Sequence, residues 1–113
     1  MACLFCQIVN REIPADIVFE DDEVLAFEDI APQAPTHLLV IPKRHVATLN
    51  DLEESDQALV GRLPIVAARL ARERGFAEEG YRVVMNCNDD GGQTVYHLHM
   101  HLMGGRRFTW PAG

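Results

Sequence analysis

With 113 residues, 48% of them hydrophobic, the chain predicts one ordered domain that spans residues 1–113. Its formal net charge of −7 disfavours long polyanions such as DNA as partners, but a single nucleotide could still bind in a neutralised pocket. Because no apolar run approaches about 18 residues and Met1-Ala2-Cys3 does not begin a signal peptide, we expect a cytoplasmic protein with no membrane partner.

The N-terminal segment carries a Cys-x-x-Cys pair, Cys3 and Cys6, on a predicted short helix that ends near Asn10. A thioredoxin-like redox pair would follow a strand, and no strand can precede residue 3. Two unrelated core thiols are a second interpretation. We favour a zinc site, because such a pair supplies two tetrahedral ligands and the chain has five histidines.

A predicted hairpin and a third strand follow. Residues 17–20 and 23–27 are strand-like and are separated by a tight turn at residues 21–22. After a proline-containing loop, residues 36–42 form the third predicted strand. On pattern alone, Asp29 in the loop would be a solvated turn residue, and His37 would be a hydrogen-bonded core histidine.

A long helix is predicted over residues 53–74, with Gly75 as its C-terminal stop and Pro64 inside it. Residues 81–87 predict another strand, which would bring Asn86 close to a glycine-rich turn at residues 89–94. Glycine-rich backbone of this kind is suited to presenting N–H groups to an anion.

The stretch from Tyr96 to Met103 alternates polar and apolar residues without a break, which is the period of a strand with one buried face. This pattern predicts that His97, His99 and His101 stand in a row on the other, exposed face, with about 6.6 Å between neighbours. A histidine-rich surface or a metal site would produce the same pattern. Together, the elements predict an α+β fold with about five mainly antiparallel strands, one long helix and one short helix.

The row of histidines resembles the signature of the histidine triad (HIT) family, and the resemblance extends along nearly the whole chain. Residues 27–37, residues 91–97 and the ending Trp110-Pro111-Ala112-Gly113 are similar to the Hint branch, the purine nucleoside phosphoramidases. The resemblance implies a HIT-like fold and the hydrolysis of AMP-amines through a covalent nucleotidyl-histidine.

The same resemblance implies a role for each polar residue of the site. It implies that His99 is the nucleophile, that His101 bonds the phosphoryl oxygens, and that His37 supports them and tunes protonation. The Thr94 hydroxyl, with the backbone of residues 92 and 93, would hold oxygens and the departing amine. The implied nucleotide-binding residues are Phe5, Ile8, Phe27, Asp29, Ile30, Asn86, Gly92, Gln93, Thr94, His99, His101 and Trp110. On pattern alone, the apolar residues Phe5, Ile8, Phe27 and Ile30 would be plain core.

The implied zinc ligands are Cys3, Cys6, His45 and His97, a closed structural site with one zinc per chain. A histidine that binds zinc cannot also move protons freely, so His97 belongs to one site or to the other, and we favour zinc. The resemblance also implies a homodimer in which Trp110 reaches the partner's nucleotide pocket. A dinucleoside polyphosphate hydrolase of the same family, or a non-catalytic nucleotide or metal sensor, is the alternative function.

Overall fold

The structure is a computed structural model that describes residues 3–113, and its central feature is a five-stranded antiparallel sheet. The strands are β1 (Ile17–Glu20), β2 (Val24–Glu28), β3 (Thr36–Pro42), β4 (Tyr81–Val84) and β5 (Met100–Gly104). Their order across the sheet is β1-β2-β3-β5-β4, so the last strand of the chain lies between β3 and β4. The predicted α+β fold class is confirmed.

Three helices accompany the sheet: α1 (Leu4–Val9), α2 (Gln57–Arg74) and α3 (Asn88–Gly91). Helix α2 starts later than predicted, because residues 54–56 form a separate 3₁₀ turn before it. It ends at Gly75, which adopts the left-handed φ of 85° that the stop signal predicts. The glycine-rich turn contains the one-turn helix α3, which the sequence did not predict. Among residues 3–113, no helix is both long and apolar enough to cross a membrane.

Side chains alternate between the two faces of the sheet, and each face packs against a different helix. On one face, the apolar residues of β2, β3 and β5 pack against α2; they are Val24, Ala26, Leu38, Val40, Met100 and Leu102. The opposite face packs against α1 through Leu25, Phe27, Leu39 and Ile41. A six-residue helix is unstable alone, so the burial of Phe5 and Ile8 holds α1 in place.

The predicted strand over residues 96–103 is too long, because β5 begins only at Met100. The regular pairing of β3 with β5 extends as far as Val40 and Met100. Past that point β3 ends in Pro42, and a proline cannot donate a ladder hydrogen bond. The Leu98 N–H instead bonds the Val46 carbonyl beyond the end of β3, at 2.7 Å.

This local departure from the ladder changes where the triad histidines point. The predicted exposed row is wrong, since His97 is 0% exposed and His99 is 7% exposed. Only His101 lies on a strand, where it pairs with Leu39 on one side and Val84 on the other. Strand β4 likewise ends at Val84, so Asn86 lies in the following loop.

Candidate functional site

A cavity of about 570 Å³ opens on the α1 face of the sheet. Neighbouring strands bring its floor together, because Phe27 pairs with Leu39 and Leu39 pairs with His101. The wall is mainly apolar and includes a few polar side chains. The predicted site residues among its lining are Phe5, Ile8, Phe27, Asp29, Ile30, Thr94, His99 and His101. A concave, largely apolar cavity of this size with a few convergent polar groups is typical of a small-molecule site.

The tautomer of His99 follows from its contact with the backbone. Its Nδ1 lies 2.7 Å from the carbonyl oxygen of His97. Because a carbonyl oxygen only accepts hydrogen bonds, the hydrogen of the neutral ring is on Nδ1 and the lone pair is on Nε2. The ring of Phe5 packs edge-on against His99, with 5.2 Å between the ring centroids. His99 therefore offers an oriented ring nitrogen to the cavity that it lines.

A chain of hydrogen bonds gives His101 the opposite tautomer. The backbone N–H of Gln33 donates to His37 Nδ1 at 3.0 Å, which leaves the hydrogen of His37 on Nε2. That Nε2 lies 2.9 Å from His101 Nδ1, which accepts the bond. His101 consequently carries its own hydrogen on Nε2. The cavity thus holds one imidazole with a free lone pair and one with a free N–H donor.

Burial keeps the imidazoles of His37 and His101 neutral at pH 7. It lowers the pKa of His101 to about 4, and the neighbouring His99 and His37 lower it further. The pKa of His37 is also lowered by burial, which the carboxylate of Asp29 partly offsets. Asp29 Oδ2 lies 3.4 Å from His37 Nε2, and Asp29 Oδ1 accepts the Ala31 N–H. Although Asp29, His37 and His101 are close enough to share a metal ion, the hydrogen-bond chain accounts for their arrangement.

Several predicted residues lie elsewhere. Asn86, Gly92, Gln93 and Trp110 do not line the cavity. The N–H groups of Gly92 and Gln93 already donate within their turn, to the carbonyls of Asp89 and Asn88, so a role with phosphoryl oxygens would require the turn to rearrange. Ile30 lies at the cavity edge with 100% exposure, so it is not core.

Other lining residues were missed. They include Leu39 and Val95. The sequence pattern could have identified Leu39, because the alternation of β3 places Leu39 on the same face of the sheet as His37.

The four predicted metal ligands come together in a cluster outside the lining of the cavity. The Sγ and Nδ1 atoms of Cys3, Cys6, His45 and His97 all lie within 4.8 Å of one another. His97 Nδ1 is 3.4 Å from Cys3 Sγ, 3.5 Å from Cys6 Sγ and 3.3 Å from His45 Nδ1. Tetrahedral zinc with bonds of about 2.3 Å to sulfur and about 2.0 Å to nitrogen places ligand atoms about 3.3–3.8 Å apart. The residues therefore fit a zinc ion.

The protonation of His97 also suits a metal ligand. Its Nε2 lies 2.7 Å from the Pro42 carbonyl and must donate, which leaves the Nδ1 lone pair facing the two sulfurs. Burial and the adjacent Cys3 raise the pKa of the Cys6 thiol to about 11. A cation between the sulfurs would reverse that effect, because thiolate is the form of cysteine that binds metals.

Two histidines of the triad, His99 and His101, line the cavity, and His101 is hydrogen-bonded to His37, which lies outside the triad. The HIT domain family matches residues 10–108, and the chain belongs to the HIT family. It is 54% identical to the purine nucleoside phosphoramidase of Escherichia coli K12 over 91% of this chain and 87% of that protein.

Two solved structures share the fold. The crystal structure of a HIT family hydrolase from Legionella pneumophila has a TM-score of 0.97 and 57% identity, and it covers 99% of this chain and 100% of that one. A histidine triad protein from Clostridium difficile has a TM-score of 0.93 and 46% identity, with 96% and 95% covered. The predicted HIT-like fold is confirmed.

Proposed function

We propose that this protein hydrolyses the P–N bond of purine nucleoside 5′-phosphoramidates, such as AMP joined to an amine. The observation that carries the proposal is the complementary protonation of two histidines in one cavity, a lone pair on His99 Nε2 and an N–H on His101 Nε2. Covalent phosphoryl transfer needs a nucleophile and a donor to the phosphoryl oxygens. The E. coli relative, named a purine nucleoside phosphoramidase, supports the choice of substrate.

The first step forms a covalent intermediate. His99 Nε2 attacks the phosphorus, a phosphorus–nitrogen bond to the imidazole forms, and the bond to the substrate amine breaks. The amine nitrogen takes up one proton from solvent and leaves as the free amine. Meanwhile the His101 N–H and the Thr94 hydroxyl bond the phosphoryl oxygens. Among residues 3–113, no lysine or arginine lines this cavity to neutralise their charge.

The second step restores the enzyme. Water attacks the phosphorus of the nucleotidyl-imidazole and gives up one proton to solvent, which balances the proton taken up by the amine. The bond to His99 Nε2 breaks, and a nucleoside monophosphate is released. His37 holds the His101 tautomer through both steps, because its own Nδ1 is fixed by the Gln33 N–H. One difficult displacement is thereby divided into two easier ones.

The rest of the cavity suits a purine nucleoside. Phe5, Ile8 and Phe27 offer an apolar slot for the base, with Ile30 at its edge. The carboxylate of Asp29 would accept hydrogen bonds from the ribose hydroxyls. A contact between Asn86 and the nucleotide stays a prediction, as Asn86 lies in the loop after β4.

We also propose a structural zinc held by Cys3, Cys6, His45 and His97. Four protein ligands fill a tetrahedral site and leave no position for catalytic water, so the ion would stabilise the fold only. It would join α1 to the segment before β5.

A two-fold homodimer is proposed as the assembly. Strand β4 is an edge of the sheet with an unpaired side, and its Val83 is exposed. Ile65 on α2 is exposed too, and the indole of Trp110 is 84% exposed. Apolar surface of this kind favours contact with a second copy, in which Trp110 would reach the partner's cavity.

The direct test is an assay of an AMP-amine beside a dinucleoside polyphosphate. We expect release of the amine from the first substrate at a far higher kcat/KM. Preferred cleavage of the second would favour the polyphosphate hydrolase. Binding of AMP with no turnover of either substrate would contradict the enzyme and favour a sensor, which has no need of an oriented Nε2 on His99.

A further inference from the structure

The side chain of Gln93 is buried at 6% exposure, next to the cavity but outside its lining. Its amide uses both donors, since Nε2 lies 2.8 Å from the Ala47 carbonyl and 3.1 Å from the Val95 carbonyl. Its Oε1 accepts the N–H of Asn88 at 2.9 Å. A buried amide with both donors and its oxygen engaged is held in one orientation. This side chain therefore ties the backbone on both sides of Gln93 to the distant segment at Ala47.

Two of the three partners adjoin functional parts of the molecule. Ala47 is two residues from His45, and the neighbouring Val46 carbonyl accepts the Leu98 N–H just before His99. Val95 follows Thr94 and lines the cavity with it. The backbone of Thr94 is therefore held on both sides: the amide of Gln93 bonds Val95 after it, and Gln93 directly precedes it.

The turn before Thr94 depends on the same residue. Asn88 has a φ of 58°, a left-handed conformation that non-glycine residues adopt at a cost. Gln93 closes a ring with Asn88, because its own N–H donates to the Asn88 carbonyl while its side chain accepts the Asn88 N–H. Two hydrogen bonds from one residue thus hold the strained end of the turn.

We propose that Gln93 is a positioning residue for recognition of the phosphoryl group: its side chain fixes Thr94 at the cavity, so that the threonine hydroxyl meets a phosphoryl oxygen. Gln93 itself touches no part of the nucleotide through its side chain. The inference rests on the proposed function, because it assigns Thr94 to the phosphoryl end of a bound nucleotide.

The test compares the affinities of AMP and adenosine, measured by titration calorimetry. Gln93→Met keeps the length of the side chain and removes all three hydrogen bonds of its amide. Gln93→Glu replaces the donating amide nitrogen with an oxygen that would face the two carbonyl oxygens. We expect either change to weaken AMP binding about tenfold, the effect of about 1.4 kcal/mol, which is close to the lower end of the range for a hydrogen bond to a charged group. Adenosine has no phosphoryl group, so its affinity should stay within about twofold.

A double substitution shows whether Gln93 acts through Thr94. Thr94→Val alone should weaken AMP binding to a similar degree. In that background, Gln93→Met should cause less than about a further twofold loss, because coupled residues are not additive. Gln57→Glu, at an exposed position at the start of α2, is the control for added negative charge and should change neither affinity.

Three results would overturn the inference. One is an unchanged AMP affinity in Gln93→Met, and another is an equal loss for adenosine and AMP, as a purely structural role would produce. The third is a full tenfold loss in the Thr94→Val background. Should Gln93→Glu fail to fold, Gln93→Met alone decides. Failure of the wild-type protein to bind AMP or to turn over an AMP-amine would instead reject the proposed function.

Discussion

His97 and His99 are two residues apart, yet they belong to different sites. His97 turns its Nδ1 toward two cysteine sulfurs and a second imidazole, away from the cavity. His99 lines the cavity beside His101 and packs against Phe5. Identical side chains in one short segment are therefore divided between a candidate metal site and a candidate catalytic pocket.

The division is made by backbone carbonyls. The Pro42 carbonyl accepts from His97 Nε2, and the His97 carbonyl accepts from His99 Nδ1. Each carbonyl fixes which ring nitrogen keeps its lone pair and where that lone pair is aimed. The lesson is that the role of a histidine depends on what its second nitrogen bonds. The two sites are connected through the main chain of His97 and through Phe5, whose ring packs against both imidazoles.

The substitution His99→Ala should give the largest effect and the sharpest separation of the two sites. Removal of a covalent nucleophile should lower kcat on an AMP-amine by at least about 10³-fold. AMP affinity should stay within about tenfold, because the apolar slot and Asp29 are untouched. Steady-state kinetics and calorimetry measure the two quantities. Near-normal turnover in His99→Ala would contradict the covalent route.

At the candidate metal site, Cys3→Ser should lower the free energy of unfolding more than it lowers kcat. We expect about one zinc per chain in the wild type and none in the variant, with a loss of unfolding free energy on the order of 4 kcal/mol or more. The kcat at saturating substrate should fall by less than about tenfold. Elemental analysis, thermal unfolding and kinetics measure these changes.

The third cysteine gives the matched control. Cys87 lies outside the cluster of candidate ligands, so Cys87→Ser should keep the metal and nearly all of the stability. Wild-type protein that contains no zinc and whose unfolding is unchanged by a chelator would reject the metal site. His97 would then be free to act with the catalytic histidines.

The buried imidazole of His101 in the cavity should make the free energy of unfolding depend on pH. The native pKa of His101 is about 4, below the ordinary value of 6.5, so the unfolded chain binds more protons between those values. Stability should therefore fall as the pH decreases from 6.5 to 4, with a contribution of about 1.4 kcal/mol per pH unit from one such group. His101→Gln should reduce this slope, as measured by denaturant unfolding across the range. An unchanged slope in the variant would contradict the buried neutral state.

The smallest effect should come from the C-terminal tail, which belongs to neither site within one chain. Removal of residues 109–113 deletes the exposed Trp110. If the tail contributes to the partner's cavity, the ranking of amine leaving groups should change by a few-fold while the best simple substrate is little affected. The intact protein should elute near 25 kDa, twice the 12.7 kDa of one chain. A monomer, or an unchanged ranking, would count against the shared site.

The sequence predicted the sheet and the long helix, and the family resemblance supplied eight of the sixteen residues that line the cavity. Alternating apolar residues in β2 and β3 report directly on which face is buried, and Gly75 marks the helix end through its φ. The ligand set came from resemblance, and the structure brings its four donor atoms together.

What the sequence could not predict depended on contacts between distant parts of the chain. The alternation around His97 is typical of an exposed strand. Nothing local shows that the Pro42 carbonyl accepts from the His97 side chain and the Val46 carbonyl accepts from the Leu98 N–H. The same holds for Gln93, because its hydrogen bond to the Ala47 carbonyl joins residues that are far apart in the chain. Tautomers are invisible in the sequence, since they follow from tertiary hydrogen bonds.

The most direct test of the covalent account is mass spectrometry of protein quenched during turnover of an AMP-amine. The account predicts an acid-labile mass increase of one AMP unit, located on His99 by rapid digestion and absent from His99→Ala. A matched sample of Cys3→Ser should still carry the adduct, because its change lies on the metal side of His97. Turnover with no adduct under conditions in which hydrolysis of the intermediate limits the rate, or an adduct on another residue, would contradict the central claim.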